Sequence, residues 1–243
     1  MPNWVQNNIY LHGEKKDIKK VLELVKSDES AFDFNKIIPM PKELEIDSSS
    51  DNDLAILCYL SNKLTIPFEQ LDKKYLSYVT NMFDNNWAAT LYYERLPNRN
   101  EDFDKLYRLG KVCCENIRKY GYVCWYNWCI DNWGTKWDAC EPYVDDDFIS
   151  FQTAWSVPDP IFEAFAYICD KHNVTFEGEY ADEDRGHNAG HISSDNGITE
   201  YENNSNEALR AYIDLWGDSE CIGEDENGNL FNYDCDTCPH KCY

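Results

Sequence analysis

The sequence has 243 residues and a mass of 28.5 kDa, which is enough to bury a sizeable core. Its hydrophobic content of 43% and aromatic content of 15% exclude wholesale disorder. The net charge of −23 repels phosphate backbones and anionic membranes, so composition disfavours direct nucleic-acid binding and favours basic partners or cations.

The N-terminal third changes from a sheet pattern to helical patterns. Residues 3–12 alternate apolar and polar side chains, which predicts a first strand. An amphipathic helix follows, and its apolar stripe is Ile18, Val21, Leu22 and Val25. Helical spacing then dominates, and its clearest helix, residues 102–120, ends at Gly121. We interpret residues 35–121 as a helical insertion.

Sheet patterns return after the insertion. Residues 137–144 and 148–155 flank a turn of three Asp residues and predict an antiparallel hairpin. Residues 157–160 then start a helix, and residues 175–180 predict the next strand. The order β, α, insertion, β, β, α, β is that of the split βαβ sandwich. The sequence therefore predicts an α+β fold, a ferredoxin-like βαββαβ sandwich with a helical insertion.

The remaining residues predict a C-terminal hairpin and helix extension. An Asp-Asn-Gly turn at residues 195–197 joins two short strand patterns, and Ser205 caps a helix that ends before Gly217. A second hairpin pattern covers residues 221–234. We divide the chain into a ferredoxin-like domain, residues 1–191, and an acidic extension with a Cys-rich tail, residues 192–243.

Several strings within the first 191 residues are distinctive. They are MPNW with the following NNIYLHG, FNKIIPMPKEL, WYNWCIDNWGTKWDA, FQTAWSVPDPIFEAFA and YADEDRGHNAGH. In these strings the chain resembles a phage and plasmid protein family described as carrying a YubB-type ferredoxin-like domain. The resemblance implies a ferredoxin-like fold and carriage on a mobile genetic element. It implies no activity and no catalytic residues.

The first candidate site is the cysteine-rich end. Its potential ligands are Cys221, Cys235, Cys238, His240 and Cys242. A C-x2-C pair can chelate Zn²⁺, which takes two further ligands in a tetrahedral shell. The second C-x2-C pair of a zinc ribbon is missing, so a flexible or merely packed tail and a redox dithiol are the alternatives to structural zinc.

The second candidate combines carboxylates and imidazoles within ten residues. It consists of Asp182, Glu183, Asp184, His187 and His191. Metal-dependent hydrolases use such groups to hold a divalent ion that activates water. Gly186 and Gly190 disfavour the helix that would bring the two imidazoles onto one face, so a solvated loop is the alternative.

The third candidate is a dense aromatic block at the end of the insertion. From it we single out Trp128, Trp133, Lys136 and Trp137 as a binding surface, and we expect the greatest exposure at the turn 133–137. Exposed aromatic side chains anchor protein partners or stack on bases. The alternative is that the block forms core between the sheet and the insertion. The vicinal Cys113 and Cys114 are predicted to be core thiols.

Other features concern the compartment and the enzyme class. Residues 1–13 lack the basic and apolar regions of a secretory signal, and no apolar run reaches the length of a membrane helix. The odd number of cysteines, eleven, favours reduced thiols, and we expect a cytoplasmic location in a host cell. The absence of phosphate-binding loops and nucleophile elbows disfavours conventional nucleotide-dependent and serine-nucleophile enzymes.

The acidic residues are concentrated near the end of the chain. From Glu177 to Tyr243 there are seventeen Asp and Glu and three Lys and Arg, a net charge of −14. This distribution favours a non-enzymatic binding protein of phage or mobile-element origin, with a basic host protein as partner. One form is an acidic inhibitor of a host defence or nucleic-acid-handling protein. The alternatives are a metal-dependent hydrolase acting on nucleotides or nucleic acid, and a nucleotide-binding sponge.

Overall fold

A computed structural model describes residues 2–63, 103–217 and 219–233. The chain divides into two compact units, one made of Met1–Pro39 with Cys129–Tyr243 and the other of Met40–Trp128. No helix in the described ranges has both the length and the apolar composition of a membrane span.

The described elements follow one another in this order. The helices are α1 (Lys15–Val25), α2 (Phe34–Ile37), α3 (Ser50–Lys63), α4 (Phe103–Tyr120), α5 (Trp125–Trp133), α6 (Asp159–Asp170) and α7 (Asn206–Trp216), with a short 3-10 helix at Lys42–Leu44. The strands are β1 (Trp4–His12), β2 (Cys140–Val144), β3 (Phe148–Ala154), β4 (Thr175–Asp182), β5 (Ala189–Ser193), β6 (Gly197–Glu200), β7 (Ile222–Glu224) and β8 (Leu230–Asn232).

The first unit is built on a six-stranded sheet in the order β2-β3-β1-β4-β5-β6. The central strand β1 pairs antiparallel with β3 on one side and with β4 on the other. Because α6 connects β3 to β4 across β1, the first four strands have the split βαβ arrangement. The predicted ferredoxin-like α+β fold is confirmed. β5 and β6 extend the same sheet through the hairpin that the turn at residues 195–197 predicted.

One face of the sheet carries an aromatic core. Directly opposite residues of antiparallel strands share a face, which places Ile9 of β1 beside Ile149 of β3. Both are fully buried. Helix α6 packs on this face, where Phe165 stacks on Phe176 of β4 with ring centroids 5.1 Å apart. The residues that this helix buries are Ile161, Phe162, Phe165 and Cys169.

The opposite face is covered in part by α7. Four alanines pack together there, two from β4 and β5 and two from the helix: Ala181, Ala189, Ala208 and Ala211. The indole of Trp216 donates a hydrogen bond to the carbonyl of Ala181 at 2.9 Å. Small side chains let the helix approach the strands closely. Helix α7 starts as predicted, since the Ser205 hydroxyl accepts from the amide of Ala208 at 3.1 Å.

The second unit contains the packed pair α3 and α4. Their shared core includes both vicinal cysteines: Ile56, Tyr59, Cys113, Cys114 and Ile117. Core thiols are thus confirmed at residues 113 and 114. Helix α4 ends as predicted, because the amide of Gly121 donates to the carbonyl of Ile117 at 2.9 Å. Part of the predicted insertion, residues 64–102, lies outside the described residues.

Some predicted boundaries differ from the structure. β2 begins at Cys140 rather than at residue 137, because the Asp138 carboxylate accepts from the amide of Ala139 and interrupts the ladder. The proposed domain boundary at residue 191 falls inside β5, and residues 192–233 share one compact unit with the sheet.

Candidate functional site

Two of the distinctive strings meet at one end of the sheet. The first is WGTKW at residues 133–137, which starts at the last residue of α5, and the second is TAWS at residues 153–156, where β3 ends. In the first string, the buried indole of Trp133 donates to the carbonyl of Ile38 at 2.9 Å. Gly134 has a φ of 77°, and a Cβ there would lie 2.8 Å from Cδ of Pro160. Glycine is therefore required at the turn.

Side-chain hydrogen bonds join the two strings. The hydroxyl of the buried Thr135 donates to the carbonyl of Ala154 at 2.9 Å and accepts from its amide at 3.1 Å. The hydroxyl of Ser156 donates to the carbonyl of Gly134, and that of Thr153 donates to the carbonyl of Ser156 at 2.8 Å. Because these hydroxyl groups bond to backbone amides and carbonyls, much as paired strands bond to each other, the two strings form a single rigid substructure.

A cluster of aromatic rings around one lysine lies on this substructure. We call Trp4, Lys136, Trp137 and Trp155 the tryptophan corner. Nζ of Lys136 lies 4.3 Å from the ring centroid of Trp137 and 4.9 Å from that of Trp155. The rings of Trp4 and Trp137 are 5.9 Å apart. Trp155 is 44% exposed, so the corner offers an aromatic surface to a partner.

The backbone of Trp155 is strained. Its φ of 72° is in the left-handed region, which bulky residues rarely adopt. Two hydrogen bonds hold it there: its amide donates to the carbonyl of Asn3 at 2.8 Å, and its carbonyl accepts from Nδ2 of Asn188 at 3.2 Å. Such strain persists only where the surroundings over-determine it, and it is often found at functional sites.

The turn between β4 and β5 borders the tryptophan corner. Asp182 is buried, and its carboxylate accepts from the amide of Asp184 at 2.8 Å and from the side chains of Asn188 and Asn3. Asp182 therefore organises the turn and is not available to a ligand. Glu183 and Asp184 are exposed, and the amide of Glu183 donates to the carbonyl of Trp4. The second and third predicted candidates thus share one end of the sheet.

The two histidines of the second candidate have separate surroundings. His187 lies in the turn, where Nε2 is 3.4 Å from Nδ2 of Asn204. His191 lies on β5 opposite Glu179 and Thr199, among the half-buried side chains of the sheet. Within the described ranges, no group of three or more His, Cys, Asp or Glu residues is placed to hold a metal ion.

Two members of the predicted aromatic surface require correction. Trp128 and Trp133 are buried and cannot anchor a partner. The physical reason is visible in the sequence, because buried residues follow one another at spacings of four, one and four, from the residue before α5 to its last residue. They are Cys124, Trp128, Cys129 and Trp133. This spacing marks the buried face of a helix. Lys136 and Trp137, which follow the helix, are only half-buried.

The predicted zinc ligands lie largely outside the described residues. Cys235, Cys238, His240 and Cys242 belong to this part, whereas Cys221 is buried just before β7. Its carbonyl accepts from the amide of Tyr233 at 2.9 Å. Elsewhere, burial raises the pKa of Cys113 and of Cys169 to about 12, so these thiols stay protonated and are poor nucleophiles.

One half-buried acid escaped the sequence-based prediction. Asp138 follows the corner residue Trp137 and accepts from the amides of Phe34 at 2.9 Å and of Ala139 at 2.7 Å. Burial raises the pKa of the Asp138 carboxyl, and the nearby Asp33 carboxylate raises it further, while the two amide bonds act in the opposite direction. Asp138 ties the start of α2 to the start of β2.

We call the stretch from Glu177 to Tyr243 the acidic segment, and its net charge of −14 is little reduced by ion pairs in the part that the structure describes. Arg185 and Arg210 are the two Lys or Arg residues described beyond Glu177. The six ion pairs found in the described ranges all involve residues up to Glu177. Setting Glu220 aside, no described carboxylate between Glu179 and Glu226 forms an ion pair. Most of these carboxylates are exposed, and they include those of β6, α7 and the β7–β8 hairpin.

Comparison with known families agrees with the fold. Residues 132–220 match the family described as the ferredoxin-like domain in Api92-like protein. The matched stretch contains both strings of the corner and the strands β2 to β6, whereas β1, the central strand of the sheet, precedes it. No curated protein and no solved structure matches this chain.

Proposed function

We propose that this chain is a non-enzymatic binding protein that presents an acidic surface to a basic protein partner. A phage or mobile-element origin, with a host defence or nucleic-acid-handling protein as the partner, fits this proposal. The observation that carries it is the run of exposed carboxylates after Glu177 which, with Glu220 set aside, have no ion-pair partner in the described ranges.

The physical argument concerns the cost of unneutralised charge. Like charges on one surface repel one another and lower the stability of the compact state. An isolated protein gains little from such a surface, whereas a basic partner would relieve the repulsion and associate faster through long-range attraction. Nucleic acid carries charge of the same sign and would be repelled. These considerations support a basic protein as the partner.

The test is binding of a basic probe to charge variants of the full chain. The triple variant Glu200→Gln, Glu202→Gln, Asp214→Asn removes three exposed carboxylates that accept no hydrogen bond within the described residues. We expect its affinity for labelled hexalysine to fall about tenfold at low salt, since each exposed charge pair is worth up to about 0.5 kcal/mol. Fluorescence anisotropy measures the dissociation constant, and added salt should weaken wild-type binding.

A matched variant separates location from net charge. Asp28→Asn, Glu29→Gln, Glu45→Gln also removes three exposed carboxylates, all from the N-terminal part of the chain. We expect this variant to bind hexalysine within about twofold of wild type, because the removed charges lie outside the acidic segment. Equal losses in both triple variants, or binding that high salt leaves unchanged, would contradict the proposed surface.

A further inference from the structure

Trp155 combines three properties that a structural tryptophan does not need together. Its side chain is 44% exposed, its φ is 72°, and both of its backbone polar groups are held by Asn3 and Asn188. A glycine would adopt this backbone conformation without strain, and a smaller side chain would expose less apolar surface. A tryptophan ring at this position therefore points to a contact that the isolated chain does not make.

The position of the ring is fixed before any partner arrives. Ala154, the preceding residue, is bound twice by the hydroxyl of Thr135, and Ser156, the following residue, is bound to Gly134. Lys136 lies against the ring at 4.9 Å. Because little conformational freedom remains to be lost on binding, a ring held in this way is suited to act as an interface anchor.

The charge beside this ring selects the partner's chemistry. Asn188 bonds both to the carbonyl of Trp155 and to the carboxylate of Asp182, so the acidic turn is attached directly to the residue that carries the ring. Of the charged side chains in this turn, Glu183 and Asp184 are exposed, whereas Asp182 is buried and Arg185 is half-buried. The turn therefore presents mainly carboxylates to solvent. A planar cation can stack on tryptophan and bond a carboxylate at the same time, and guanidinium does both better than ammonium.

We propose that Trp155, Glu183 and Asp184 form a binding site for an arginine side chain of the basic protein partner. The guanidinium stacks on the exposed part of the Trp155 ring and pairs with a carboxylate of the turn. This inference rests on the proposed function, because it locates the anchor within the acidic surface. It adds a residue preference that charge alone does not produce.

The test compares labelled hexaarginine with labelled hexalysine, which carry the same charge. Wild-type protein should bind hexaarginine several-fold more tightly, and Trp155→Ala should abolish this preference while it leaves hexalysine binding within about twofold. Tyr167→Ala is the matched control, since Tyr167 is 63% exposed and also carries a lysine, Lys171, at 3.8 Å from its ring centroid. The control should keep the preference for hexaarginine.

A second variant excludes misfolding as the cause. Trp155→Gly removes the ring and also relieves the strained φ, so it should melt no lower than Trp155→Ala and should also lose the preference. If both peptides bind equally to wild type, or if the preference survives in both Trp155 variants, the arginine site is overturned and the acidic surface remains. If neither peptide binds, the proposed function fails as well. Trp155-dependent binding of adenosine monophosphate in place of hexaarginine would also overturn the site.

Discussion

Individual residues of the tryptophan corner determine how it is held together. A residue in the left-handed region costs roughly 1–3 kcal/mol when its side chain disfavours that region, as that of Trp155 does. The net contribution of one hydrogen bond is about 1 kcal/mol, so the two backbone bonds of Trp155 are of the size needed to offset this cost. Removing the side chain of Asn188 would release one of them.

Asp138 provides a prediction about pH. Its pKa is raised to about 6 from an ordinary value of 3.8, primarily by burial. The stability that this carboxyl contributes is full below about pH 3.8 and is lost as the pH rises through about 6. Asp138→Asn stays neutral and keeps an oxygen for the two amides. We expect it to match wild type near pH 4 and to exceed it above pH 6 by up to about 3 kcal/mol in the free energy of unfolding.

Urea unfolding across this pH range measures the difference. Asp33→Asn is the matched control, because it removes the carboxylate that raises the pKa of Asp138 and keeps an oxygen for the amide of Asn35. In that variant the stability should depend less on pH. If Asp138→Asn were less stable than wild type above pH 6, the ionised carboxylate would be the favoured partner of the two amides.

Sequence patterns identified the location of the corner but not its arrangement. The strings WGTKW and TAWS were distinctive, and Lys136 and Trp137 were correctly placed near a turn. The burial of Trp133 follows from helical spacing and could have been predicted. The left-handed backbone of Trp155 could not have been predicted, because tryptophan has no preference for that conformation. The partial burial of Asp138 could not have been predicted either, since it depends on contacts with a segment about one hundred residues away in the sequence.

At the scale of elements, the contact between α3 and α4 depends on one glycine. A Cβ on Gly110 would lie 1.9 Å from the carbonyl oxygen of Ala55 and 2.8 Å from Cβ of Tyr59. Alanine is favoured over glycine inside a helix by about 1 kcal/mol. The clash with the backbone of α3 outweighs this gain, and we expect Gly110→Ala to destabilise the second unit by about 1–3 kcal/mol.

Chemical unfolding followed by helical circular dichroism checks this expectation. Lys111→Ala is the control on the same helix, because Lys111 is exposed and the change should alter stability by no more than about 0.5 kcal/mol. A Gly110→Ala protein that is more stable than wild type would mean that propensity, and not close packing, determines the choice of residue at this position.

Local patterns were sufficient for most of the elements that the structure describes. Helix α7 was predicted from its Ser205 cap to Gly217, and the β5–β6 hairpin from its Asp-Asn-Gly turn. Side-chain periodicity and turn residues act within a few positions, which explains this success. The start of β2 was misplaced because a carboxylate bond from Asp138, and not an apolar pattern, ends the preceding segment.

At the scale of the whole molecule, strand order was predictable and the extent of the sheet was not. The order β, α, β, β, α, β leaves few compact arrangements, so the ferredoxin-like topology followed from counting elements. Nothing local indicated that β5 and β6 would continue the same sheet or that α7 would cover its second face. The amount of charge was predictable, but which of the described carboxylates form ion pairs depends on three-dimensional placement.

The positions of the C-terminal residues determine whether truncation can remove the acidic charge without disrupting the fold. A chain ending at residue 191 loses the buried Ile192 and Leu209, each worth about 1.5–3 kcal/mol of burial. It also loses the Trp216 bond to Ala181 and the β6 partner of β5. Domains are stable by only about 5–15 kcal/mol, so we expect a much lower urea midpoint and self-association through the exposed strand edge.

The protein to compare with this truncated chain is the full-length triple variant, because it loses charge and keeps every buried side chain. Its substitutions are Glu200→Gln, Glu202→Gln and Asp214→Asn. We expect its urea midpoint to equal or exceed that of wild type, since weaker repulsion favours the compact state. Size-exclusion chromatography and urea unfolding of both proteins make the comparison. An unchanged midpoint in the chain ending at residue 191 would mean that residues 192–233 contribute no stability to the sheet. In that case the packing of α7 on Ala181 and Ala189 would follow folding of the sheet and not support it.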